Sequence, residues 1–129
     1  MDISIDKVCE IIAYLRAVEA KEEVVDPDSG SNAIDDGARD ILQDERDDAT
    51  AGQVRGVING LDDDEAADLV ALMWIGRGDY EAAEWPIARA AARERRETAT
   101  ARYILGTPNA ADLINEGLAA HGMSCAEAD

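Results

Sequence analysis

Phenylalanine is absent from this chain, histidine occurs once, cysteine twice and lysine twice, and aromatic residues make up only 4% of the 129 positions. Each scarcity excludes something. A single histidine excludes multi-histidine metal sites, and the sequence offers His121 no partners for a catalytic role. Two cysteines, one near each end, do not build a disulfide framework, and read as thiols they predict a reducing, cytoplasmic setting. Basic residues number 12 against 29 acidic ones, for a net charge of −17. A field of that sign opposes nucleic acid and anionic membrane surfaces. No basic segment followed by an apolar run opens the chain, so no signal peptide is predicted, and no stretch has the length needed to span a bilayer.

What remains is 47% hydrophobic, enough for a folded core and too much for a disordered chain. With so few aromatics, that core must be built from Leu, Ile, Val, Met and Ala around Trp74 and Trp85. Ala-rich composition with few β-branched runs favours helix. The length suits one domain. The expectation is an all-α, single-domain bundle of about five to six helices, spanning 1–122, with an acidic loop over 23–37 and a flexible tail over 123–129.

The most apolar stretch, Leu69 to Asp79 (LVALMWIGRGD), organises the rest. Asp62, Asp63, Asp64 and Glu65 precede it, so an Asp N-cap with Glu three residues later gives a capping box and places carboxylates at the positive end of the helix dipole. Apolar residues at Leu61, Ala66, Leu69, Val70, Met73 and Trp74 follow helical spacing, and Leu72 and Ile75 widen the stripe almost all round. That pattern predicts a buried central helix over about 63–75. Gly76 and Gly78 around Arg77 predict its stop, with Asp79 restarting the chain. The Arg77-Gly78-Asp79 tripeptide is better read as that stop than as an adhesion motif.

In chain order, Ser4 predicts the N-cap of a first helix over Ile5 to Glu22, with Val8, Ile11, Ile12, Leu15 and Val18 on its inner face. Asp26 to Asn32 is turn chemistry. Nine acidic residues stand between Asp26 and Asp48 against Arg39 and Arg46, without the EF-hand spacing a calcium loop requires. Ala38, Ile41 and Leu42 predict a short helix there. Thr50 to Asn59 reads as a further helix, closed by Gly60 and paired with the central one as an αα-hairpin. After a short turn, Pro86 fits the first turn of a helix that runs to about Glu97, and Trp85 is placed to pack back on the central helix. Thr98 to Leu105 continues, and Gly106 ends it. Thr107 and Pro108 then read as N-cap and N1 of a last helix to about His121, in which Gly117 predicts close approach to another helix.

Candidate ligand or partner residues are Trp74, Arg77, Asp79 and Trp85 at the central stop, and Arg89, Arg93 and Arg96, with Arg95 and Arg102 nearby, as the single basic cluster. The cluster reads mainly as a solvated face supported by Arg93–Glu97 spacing and by pairing with the acidic half. Asp62 to Glu65 with Asp68 could bind a metal through carboxylates alone, although capping explains most of them. No catalytic residue, metal site or cofactor is assigned.

The LVALMWIGRGD run, Trp85, the Tyr103-Ile104-Leu105-Gly106-Thr107-Pro108 break and the Asn115-Glu116-Gly117-Leu118 helix together resemble a family of short bacterial proteins, mostly proteobacterial, described only as a domain of unknown function. The resemblance covers about Leu61 to Gly122 and implies no activity, cofactor or catalytic residue. The sequence therefore predicts a non-enzymatic interaction or regulatory module that pairs with a second copy or another protein. The alternatives are a small-molecule or divalent-metal binding protein or enzyme with a pocket near the 76–85 turn, and an acidic nucleic-acid mimic.

Overall fold

The computed structural model describes residues 1–29, 50–95 and 99–125. The predicted short helix around Ala38, Ile41 and Leu42 lies outside them, as do Arg96 and Glu97. The described residues form six α-helices and no strand, packed as one all-α domain. These are α1 (Ile5–Ser29), α2 (50–59), α3 (Asp63–Arg77), α4 (Trp85–Glu94), α5 (Thr100–Leu105) and α6 (Ala110–Ala120), with a 3₁₀ turn at Ala82–Glu84 before α4.

Ser4 caps α1 as predicted, its Oγ accepting the Lys7 amide at 3.1 Å, and Ile3, Val8, Ile11, Ile12, Leu15 and Val18 are buried. The helix does not stop at Glu22 but continues to Ser29, so the acidic loop assigned to 23–37 starts no earlier than residue 30. Glu19, Ala20, Lys21, Glu22 and Glu23 are good helix formers, and propagation adds one hydrogen bond per residue once the nucleus exists. On α2, Val54 and Ile58 face inward.

α3 is the buried centre. Asp62 Oδ1 accepts the Glu65 amide at 2.8 Å and Glu65 Oε1 accepts the Asp62 amide at 3.0 Å, which completes the capping box. Ala67, Asp68, Leu69, Val70, Ala71, Leu72, Met73 and Ile75 are all buried. Its neighbours are α6, α4 and α5, while α1 packs on α6. The stop falls at Gly78 (φ 95°), where the Gly78 and Asp79 amides donate to Ile75 O and Trp74 O, each at 3.0 Å. That is a Schellman closure. Gly76 is not part of it, because its backbone is used sideways. A Cβ there would lie 1.8 Å from the Leu113 carbonyl oxygen, and one at Gly117 would lie 2.1 Å from that of Leu72. α3 and α6 therefore cross with backbones in contact, as Gly117 had suggested.

Pro86 sits in the first turn of α4 after the 3₁₀ turn, as expected, but the helix ends at Glu94 rather than Glu97. Gly106 ends α5. Thr107 and Pro108 do not start α6. Asn109 is its N-cap, in the left-handed region (φ 60°) that Asn tolerates. Thr107 Oγ1 instead donates to the Tyr103 carbonyl at 2.8 Å, closing α5. Glu19 of α1 accepts the Ala111 amide at 3.3 Å, supplying from across the bundle what a local cap would have supplied.

Cys9 and Cys125 are joined in a disulfide, with Cα atoms 5.6 Å apart. This corrects the reading of two separate thiols and removes the ground on which a reducing, cytoplasmic setting was expected. It also ties Cys125, assigned to a flexible tail, to α1. Among the described residues no helix is long and apolar enough to cross a membrane.

Candidate functional site

The end of α3 gathers several of the predicted residues. Trp74 stacks on Tyr80 with ring centroids 6.0 Å apart, and its Nε1 donates to the Tyr103 hydroxyl at 2.8 Å. The Arg95 guanidinium lies 4.2 Å from the centroid of the Tyr103 ring, a cation–π contact. Arg77 Nε and Nη2 donate to Asp79 Oδ2 at 2.8 and 2.6 Å. The hydrogen bond to Asp79 pushes the Arg77 pKa further up; burial opposes it, and a bond to Tyr103 adds to it. Trp74, Arg77 and Asp79 thus share one surface with Tyr80, Tyr103 and Arg95. Sequence reading had no means of adding Tyr103, 29 positions from Trp74.

Trp85 stands apart. It is partly buried against the core, and its ring partner is not α3 but His121, edge-on at 4.9 Å between centroids. His121 closes α6 with Nδ1 2.9 Å from the Gly117 carbonyl.

Arg89 and Arg93 both pair with carboxylates, Arg89 half-buried and Arg93 at the surface. Arg89 Nε is 2.8 Å from Asp68 Oδ1, and its Nη2 meets Asp2 and, at 3.9 Å, Asp64. Arg93 pairs with Asp64. Among the described residues their acidic partners are the start of α3 and Asp2 near the N-terminus; most of the 26–48 segment lies outside the described residues. Arg96 lies outside the described residues, so the three-arginine face is seen only at its first two positions.

Asp68 is the polar residue at the heart of this network. It is fully buried on α3, and its Oδ2 accepts the amides of Asp2 and, at 3.1 Å, Ile3. Its Oδ1 faces Arg89 Nε as an ion pair without a hydrogen bond, so the two amides and the Arg89 charge together offset the burial of this carboxylate. Asp68→Ala would leave two backbone donors without their acceptor and take from Arg89 its buried carboxylate partner, leaving it Asp2 and Asp64. The expected loss is about 2 kcal/mol, at the lower end for a broken buried pair because Arg89 can reach water. Urea denaturation measures it; a midpoint equal to wild type would refute this network.

Four of the five carboxylates weighed for a metal are occupied: Asp62 and Glu65 by capping, Asp64 and Asp68 by arginines. No group of three His, Cys, Asp or Glu side chains converges among the described residues.

Fold and surface define a small all-α domain built on a glycine-lined crossing of α3 with α6, with an aromatic cluster at the end of α3. The chain belongs to the family described as protein of unknown function (DUF3775), whose model matches residues 51–123, more than half of the 129 positions. The match begins in α2, upstream of the Leu61 start that the motifs suggested, and both cysteines lie outside it. No curated protein and no solved structure matches the chain.

Proposed function

We propose that this chain is a non-enzymatic protein-interaction module that pairs with a second copy of itself through the outer face of α4. The observation that carries the reading is Ile87, a large apolar side chain 59% exposed. Ala83, Pro86 and Ala90 are exposed beside it in sequence, so the outward side of the 3₁₀ turn and α4 is continuous apolar surface. Exposed apolar patches of this kind mark interfaces.

Charge supports the same face. Two copies of a −17 chain repel each other over most of their surfaces. Beside α4, Arg89 and Arg93 offset two of the three negative charges of Asp2, Asp64 and Asp68, which lowers the local repulsion between two copies. A two-fold pairing would bury Ile87 against its own copy.

Sedimentation at micromolar concentration is expected to give twice the 13.8 kDa chain mass, and Ile87→Asp is expected to give the single chain. Wild-type protein sedimenting as a monomer would refute the reading.

A further inference from the structure

A second surface feature is independent of α4. Most described arginines are engaged: Arg16 with Asp112 at 3.3 Å, Arg77 with Asp79, Arg89 and Arg93 with the α3 carboxylates, and Arg95 with the Tyr103 ring. Arg55 on α2 and Arg102 on α5 have no such partner among the described residues, and both are exposed. Together they line one groove of about 450 Å³, with Asn59 beside Arg55, and Ala99, Ala101 and Leu105 completing the wall and floor.

The coincidence has chemical content. In a chain with 29 acidic and 12 basic side chains, arginines without a partner are the exception among the described residues, and two lining one groove repel each other unless an anion lies between them. Guanidinium groups present planar, forked donors that match carboxylate and phosphate oxygens. The Ala99, Ala101 and Leu105 surface beneath offers nothing to a bare ion but accepts hydrocarbon. The volume falls in the range of ~300–1,000 Å³ usual for small-molecule sites. A polyanion would meet the acidic field of the whole chain. A single oxyanion is shielded from distant carboxylates beyond about 8 Å at physiological salt.

We propose that the groove between α2 and α5 binds a small amphiphilic oxyanion, a carboxylate or phosphate head on a short hydrocarbon body. Arg55 and Arg102 hold the head, and Leu105 with the two alanines holds the body. The site lies within the family-matched segment 51–123.

Isothermal titration of the full chain with octanoate, octyl phosphate and inorganic phosphate tests this. Saturable one-to-one binding of an amphiphile, weakening as salt is raised, supports the proposal, and the tighter of the two amphiphiles names the head group. Inorganic phosphate should bind about tenfold more weakly or not at all. The double variant R55Q/R102Q should lose about tenfold or more in affinity. Its unliganded melting temperature should stay unchanged, because neither side chain has a partner among the described residues. No binding of either amphiphile at millimolar concentration would overturn the proposal. So would equal affinity in the double variant, or inorganic phosphate binding as tightly as octyl phosphate.

Discussion

Gly117→Ala is expected to lower the melting temperature by about 10 °C, a loss of about 3 kcal/mol, at the upper end of what one added methyl costs in a packed interior. The new Cβ would sit 2.1 Å from the Leu72 carbonyl oxygen and 2.8 Å from its carbon. Those are backbone atoms of the central helix, so no side-chain rotation relieves the clash, and α6 must move bodily. Gly76→Ala meets the Leu113 carbonyl oxygen at 1.8 Å and is expected to do the same from the other helix. Gly56→Ala is the internal control. Nothing lies within 4 Å of its Cβ position, and in α2 the change should stabilise by about 0.5–1 kcal/mol through helix propensity alone. Thermal unfolding by circular dichroism reads all three. If Gly117→Ala melts within about 2 °C of wild type, the backbone-to-backbone crossing is wrong.

Removing the disulfide should cost as much or more. Cys9 and Cys125 are 116 positions apart, and a bridge closing a loop of that size removes conformational entropy from the unfolded chain worth about 4–5 kcal/mol. The double variant Cys9→Ser with Cys125→Ser is expected to melt about 15 °C below the oxidised protein. Wild-type protein in excess dithiothreitol should move to the same point, because reduction and substitution remove the same constraint. The cross-link acts mainly on the unfolded ensemble, so helicity at low temperature should stay near that of the oxidised form. A melting temperature insensitive to reductant would show that the bridge does not form in solution.

The features that were legible in the sequence are those decided by near neighbours. Asp62 and Glu65 are three residues apart and meet within one turn, so the capping box that starts α3 follows from local chemistry, as does Ser4 at the start of α1. The all-round apolar pattern of 66–75 made α3 the centre, and Gly117 marked a close crossing. Choosing between Gly76 and Gly78 as the stop required knowing which of them faced the Leu113 backbone, which is information about α6. The cap of α6 was misplaced for the same reason, since Glu19 reaches it from 92 positions away. The candidate site was half legible. Trp74, Arg77 and Asp79 are close in sequence and were grouped. Tyr103 and Arg95 join them through tertiary packing, and Arg89 finds its acceptors at Asp68 and, 87 positions away, at Asp2. The pairing of the cysteines depended on the chain after α6 folding back to α1, which no local pattern encodes.

The disulfide also changes the chain as a mechanical object. Residues 9 to 125 form a closed covalent ring that includes the whole 51–123 segment. One backbone cut anywhere inside the ring leaves a single molecule, which separates on a gel only after reduction. Tension applied from before Cys9 and beyond Cys125 is carried by the sulfur–sulfur bond, so the helices between them bear no load until that bond is opened.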